Sequence, residues 1–199
     1  MNLPNKLTIF RIILVPIMVI IPFLNLQGSF WGIPAEFWVI NLIFIIASLT
    51  DKLDGTIARK TNQITTFGKF LDPIADKILV LAAMLILVEI AKLPAWIPII
   101  VITREFIVSG YRLIAVEKGG EVIAASFWGK LKTVTQMIAI ILAFLDVNAY
   151  AAFLGDTTGW TDFALVLNIV ATAMMFVSVV ATIFSGWDYI KNGKDLLKD

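Results

Sequence analysis

The sequence has no cysteine and no histidine. The first absence excludes disulfides, thiolate nucleophiles and sulfur-bound zinc. The second excludes Ser–His and His–Asp catalytic pairs and any transfer through a covalent phosphohistidine. Charge is also sparse: 16 Lys plus Arg and 15 Asp plus Glu among 199 residues, a net charge of +1. Chemistry on this chain must run on carboxylates, lysines, arginines, hydroxyls and bound metal.

What is abundant is hydrocarbon. Hydrophobic residues make up 59% of the chain and the mean hydropathy is +0.91, whereas a soluble domain is about half apolar. Six apolar segments, at 7–26, 35–59, 70–91, 95–116, 127–147 and 161–190, each approach or exceed the roughly 20 residues that cross a bilayer as a helix. Backbone polar groups in lipid need partners within their own helix. The expected fold is therefore all-α: a polytopic membrane protein with six transmembrane helices in one bundle. A single domain is expected over 1–199, with a short polar tail at 191–199. The first segment follows Lys6 and contains Arg11, as in a signal sequence, but no small-residue cleavage site follows, so it is read as retained.

The positions of the charges carry more than their sum. Lys6, Lys60, Lys69, Lys118, Lys130, Lys132, Lys191, Lys194 and Lys198 fall at the N-terminus, in the second-to-third and fourth-to-fifth connections, and in the tail. The connections at 27–34 and 148–160 hold neither Lys nor Arg; Lys92 alone goes against the trend. The positive-inside tendency then places both termini and the 50–77 stretch in the cytoplasm of a multi-pass cell-membrane protein. Trp31, Trp38, Trp96 and Trp160 near the opposite ends suit an interfacial aromatic belt.

The 50–77 stretch reads TDKLDGTIARKTNQITTFGKFLDPIADK. On a helix, residues three and four apart share a face. Asp51, Asp54, Gly55 and Ala58 form one stripe, and Gly68, Asp72 and Asp76 a second. The short polar link between them makes the two helices antiparallel neighbours and gathers four carboxylates. Their mutual repulsion at low dielectric is relieved by two divalent cations. With only oxygen ligands on offer, Mg²⁺ or Mn²⁺ fits best. Gly55 and Gly68 leave room for close approach to the backbone, and Arg59 has the planar fork that grips phosphate. The pattern describes a two-metal phosphoryl-transfer site. The plainer alternative is a set of helix-end carboxylates paired with Lys52, Lys60, Lys69 and Lys77, which four acids interleaved with two glycines and an arginine disfavour.

Asp51-x-x-Asp54-Gly55-x-x-Ala58-Arg59, eight residues, then Gly68-x-x-x-Asp72-x-x-x-Asp76 resembles the full signature of the CDP-alcohol phosphotransferases. NLPNKLTIFRIILVP, FGKFLDPIADK, ITREFIVSGYR and WGKLKT resemble the branch of that family whose acceptor is glycerol 3-phosphate. The resemblance implies six transmembrane helices, a homodimer, a cytoplasmic site and CDP-diacylglycerol as donor. It implies metals held by Asp51, Asp54, Asp72 and Asp76, with Asp76 as the general base and Asp72 as the less favoured base. It also implies a nucleotide-lipid site of Asp51, Gly55, Arg59 and Gly68. Asn5, Thr8 and Arg11 follow the branch's N-terminal pattern and suit the lining of the nucleotide or acceptor cleft, with Asn5 and Thr8 counted in the CDP-diacylglycerol site. No nucleic acid partner is expected.

A glycerol 3-phosphate acceptor demands a basic pocket. Arg104, Arg112, Lys60, Lys130 and Lys132 are the candidates, with Arg104 and Arg112 foremost because a charge in an apolar run is costly unless it faces the interior. Glu105 could instead neutralise Arg104, and Lys130 and Lys132 could anchor anionic lipid. Other readings are the same fold with phosphatidylglycerol or inositol phosphate as acceptor, and a divalent-cation transporter. The transporter is disfavoured because transport sites lie near the midplane between repeats, whereas these acids cluster at one end.

Overall fold

The computed structural model describes residues 2–60, 66–117 and 126–193, without the side chains of residues 3, 4, 51–60, 66, 67, 69, 116 and 192. Six long helices occupy the six apolar segments: α1 (Leu3–Ile20), α2 (Ala35–Lys60), α3 (Thr66–Glu89), α4 (Trp96–Glu117), α5 (Phe127–Leu145) and α6 (Asp162–Asn192). Their ends follow ordinary capping chemistry. The Asn2 side chain accepts from the Asn5 amide to start α1, and that of Thr161 accepts from Ala164 to start α6. Short 3₁₀ turns at Ile21–Leu24 and Ala152–Leu154 complete the helical part.

The connection between α1 and α2 departs from an all-helical chain. Strands β1 (Ser29–Phe30) and β2 (Ile33–Pro34) pair antiparallel. Trp31 and Gly32 form the turn, both with positive φ (54° and 75°), the backbone that a two-residue type I′ turn requires. Trp31 is 82% exposed and stacks on Phe30 at 4.9 Å, while the Trp38 indole N–H donates to the Phe30 carbonyl at 3.1 Å.

The chain gathers into two compact units, Met1–Lys92 with Ala143–Asn148, and Leu93–Leu142 with Ala149–Asp199. In the first, α1 packs along both α2 and α3 over a core that includes Met18, Phe44, Ala47, Leu79 and Met84. In the second, α4 packs on α6, around Ile97, Val108, Met175 and Val179. Many large apolar side chains point outward, among them Ile13, Phe23, Leu85, Phe106, Phe163 and Trp187. Apolar surface on this scale suits a lipid-facing protein and not a soluble monomer.

Among the described residues, three helical stretches meet the length and composition for crossing a membrane unaided: Asn5–Leu24, Phe127–Leu145 and Asp162–Lys191. α2 is apolar over Ala35–Thr50. α3 and α4 fall short of that composition because Asp72, Asp76 and Lys77 interrupt one and Arg104, Glu105 and Arg112 the other. The architecture is thus that of an all-α membrane protein, and the residues singled out as functional are what dilute two of its helices.

Lys92, the exception to the charge pattern, has a structural task. Its ammonium donates to the carbonyls of Asp146 and, at 3.4 Å, Ala143. Both belong to the end of α5, where carbonyls lack helical partners. It also stands 4.0 Å from the centre of the Phe37 ring. Burial lowers the pKa of Lys92 from 10.5 to about 8, against the opposing attraction of Asp146 and Glu36. Because the unfolded chain keeps this proton up to a higher pH than the folded one, folding stability attributable to Lys92 rises between about pH 8 and 10.5. The thermal midpoint of the wild type, measured in detergent relative to Lys92→Met, should climb across that window. A pH-independent difference would contradict the burial.

Candidate active site

The acid face of α3 meets α1. Asp72 and Asp76 lie four residues apart, so they share that face, and both are partly exposed; Gly68, one turn earlier, is buried. The Thr8 hydroxyl, 1% exposed, donates to Asp72 Oδ1 at 2.5 Å. Pro73 has no N–H, so the helical bond back to the carbonyl of residue 69 is missing beside the acids. On α1, Asn5, Thr8 and Arg11 recur every three residues and are all buried. Arg11 Nε donates to the Ala47 carbonyl of α2 at 3.2 Å, and the same carbonyl accepts from Thr50 at 2.7 Å. α1 therefore grips α3 at Asp72 and α2 one turn before Asp51.

α2 runs as helix through Lys60, which gives Asp51, Asp54, Gly55 and Ala58 the expected common face by backbone register. The side chains of Asp51, Asp54, Arg59 and Lys60 lie outside the described residues, as does the 61–65 link. Among the described residues no group of three acids is placed to hold a metal, and two of the four signature acids are not in that set. The donor chemistry itself fits a hard cation. Asp72 and Asp76 are oxygen donors on one helical face, the chain has neither Cys nor His, and the Thr8 bond holds one Asp72 oxygen while leaving the other open to a ligand.

The basic residues of α4 and α5 form a second cluster, within the second unit. Glu105 Oε1 is shared by Arg104 Nη1 at 2.9 Å and Lys132 Nζ at 2.6 Å. Arg104 also donates through Nη2 to the Ser185 hydroxyl of α6. Gly129 and Gly186 lie beside it: a Cβ at either would stand 3.4 Å from the Arg104 side chain. Farther along α4, the exposed Arg112 donates to the Tyr189 hydroxyl at 2.8 Å. The Tyr189 ring lies 5.8 Å from the Arg104 guanidinium and 5.5 Å from that of Arg112. Lys130 is exposed. So Glu105 does neutralise Arg104, as the plainer reading of that pair anticipated, and Lys132 with it. Ser185 and Tyr189 were not foreseen, because a hydroxyl on an apolar helix carries no sequence signal of its own.

The model of the CDP-alcohol phosphatidyltransferase family matches residues 1–184. The chain belongs to this family. A Bacillus subtilis (strain 168) protein named "CDP-diacylglycerol--glycerol-3-phosphate 3-phosphatidyltransferase" is 42% identical, over 99% of this chain and 97% of its own. A Haemophilus influenzae protein of the same name is 39% identical over 100% of this chain and 96% of its own. A "Probable phosphatidylglycerophosphate synthase" of Mycobacterium tuberculosis is 34% identical over 95% and 80% respectively. The family match spans stretches of both units, and Ser185 and Tyr189 fall just beyond it.

Removing the shared acid of the basic cluster leaves two cations facing each other in a largely buried site. Glu105→Gln should cost about 3 kcal/mol of stability, against about 1 kcal/mol for Ser185→Ala. Denaturant unfolding of both variants in detergent tests this; equal, small losses would show that Glu105 is not the hub of the cluster.

Proposed function

We propose that this protein is a phosphatidyltransferase that moves the phosphatidyl group of CDP-diacylglycerol to glycerol 3-phosphate, giving phosphatidylglycerophosphate and CMP. The observation that carries the reading is the intact family signature in a chain matched end to end by relatives named for this reaction. All six helices cross the membrane as one domain, with both termini and the acid cluster on the cytoplasmic side, and the protein acts as a homodimer. The Lys distribution supports that orientation, and the family match across both units supports one domain.

In the reaction, the acceptor hydroxyl oxygen bonds to the phosphorus that carries diacylglycerol, and the bond from that phosphorus to the oxygen shared with CMP breaks. Two divalent cations, Mg²⁺ or Mn²⁺, held by Asp51, Asp54, Asp72 and Asp76, supply charge stabilisation for the phosphoryl group and the departing CMP. Gly55 and Gly68 admit the nucleotide close to the backbone, and Arg59 and Asn5 bind the CDP portion. Asp76 accepts the hydroxyl proton as the general base. Asp72 is the less favoured base, and one of its oxygens already accepts from Thr8. The acceptor phosphate is assigned to Arg104, Arg112, Lys60, Lys130 and Lys132. Exposed Arg112 and Lys130 are open to a ligand, whereas Arg104 and Lys132 share Glu105.

Vesicles containing the purified protein, CDP-diacylglycerol and Mg²⁺ should convert labelled glycerol 3-phosphate to a labelled lipid with release of CMP. They should not convert phosphatidylglycerol or inositol phosphate. Asp76→Asn should keep the thermal midpoint and lose turnover by about 10²-fold or more. Cation flux without CMP release would favour a transporter, and near wild-type turnover in Asp76→Asn would remove Asp76 as the base.

A further inference from the structure

We propose that Thr8 is a positioning residue for Asp72: its hydroxyl holds the carboxylate in the orientation that receives a divalent cation. The inference rests on the reading of Asp72 as a metal ligand, and it replaces the expectation that Thr8 serves the nucleotide-lipid directly.

The decisive feature is where the hydroxyl goes. A Ser or Thr in a helix within lipid satisfies itself by donating back to a carbonyl one turn earlier in its own helix. Ser109, Thr133, Thr135 and Thr182 all do this, donating to the carbonyls of Glu105, Gly129, Leu131 and Ser178 at 2.7, 3.0, 2.8 and 2.7 Å. Thr8 donates to a carboxylate 64 residues away, on another helix. The contact is 2.5 Å long.

Two properties suit Thr8 to this work. It is 1% exposed and packed in the α1 face that meets α2 and α3, so its backbone is fixed. Its branched β-carbon restricts χ1, so the hydroxyl is fixed as well. Asp72 is partly exposed and would otherwise sample several rotamers. A rigid donor on Oδ1 selects one of them before the metal arrives, which lowers the ordering cost of binding.

The test uses the full-length protein in detergent, stripped of metal, with Mn²⁺ as the probe and calorimetry or electron paramagnetic resonance as the readout. Thr8→Val keeps the shape and removes the donor; Thr8→Ala does the same with less bulk, in case Val distorts the packing. Both should weaken Mn²⁺ binding about 10-fold, the usual effect of losing a group that orients a ligand. The Mn²⁺ concentration for half-maximal CMP release should rise in parallel, with KM for CDP-diacylglycerol at saturating Mn²⁺ unchanged within about twofold. Thr8→Ser should restore wild-type affinity. Unchanged Mn²⁺ affinity in Val and Ala would overturn the proposal, as would a loss confined to KM for CDP-diacylglycerol. Asp72→Asn run alongside separates the two levels: if it too keeps full Mn²⁺ affinity, the assignment of Asp72 as a ligand has failed, and not merely the role of Thr8.

Discussion

The polar stripe of α1 is the constraint on which the first unit depends. Thr8 and Arg11 are buried among apolar side chains, where a polar group without a partner costs several kcal/mol. Each finds a partner on a different helix, Thr8 on the Asp72 carboxylate of α3 and Arg11 on the Ala47 carbonyl of α2. A rotation of α1 that satisfied one and abandoned the other would be expensive. The three helices are therefore locked in one register, and that register sets where the acids of α2 and α3 stand.

The second unit meets the same difficulty with charge. Arg104 and Lys132 are costly near lipid, and Glu105 compensates both with a single oxygen while Ser185 takes another Arg104 N–H. Gly129 and Gly186 flank the Arg104 side chain, within van der Waals reach of an added Cβ. The cluster shows why an isolated arginine in an apolar run is a poor guide to a ligand site. A guanidinium has five N–H donors, and internal partners can occupy several of them before any substrate arrives. Arg112, held by one hydroxyl and exposed, keeps most of its donors open.

Much of this was legible in the sequence, for physical reasons that can be named. The six helices follow from apolar runs of membrane length, and α2, α4 and α5 begin at or next to the expected residues. The acid faces of α2 and α3 follow from spacings of three and four. The turn at Trp31-Gly32 was not legible, because type I′ turns are signalled by Asn-Gly and a tryptophan at positive φ is unusual. Lys92 stood out in the sequence only as the exception to the charge pattern; nothing in the local sequence says that a residue 51 positions away supplies a carbonyl to its ammonium. The bond from Thr8 to Asp72 was not legible either, since long-range pairing of a hydroxyl leaves no periodic trace. Ser185 and Tyr189 were missed for the same reason.

The claim most exposed to test is that the signature acids of α2 and α3 converge on shared cations. Anomalous diffraction from crystals grown with Mn²⁺ and CDP-diacylglycerol would examine it directly. Two peaks ringed by Asp51, Asp54, Asp72 and Asp76, with the diphosphate against them, are the expected result. Crystals in which these carboxylates face separate surfaces, with no Mn²⁺ between α2 and α3, would contradict it.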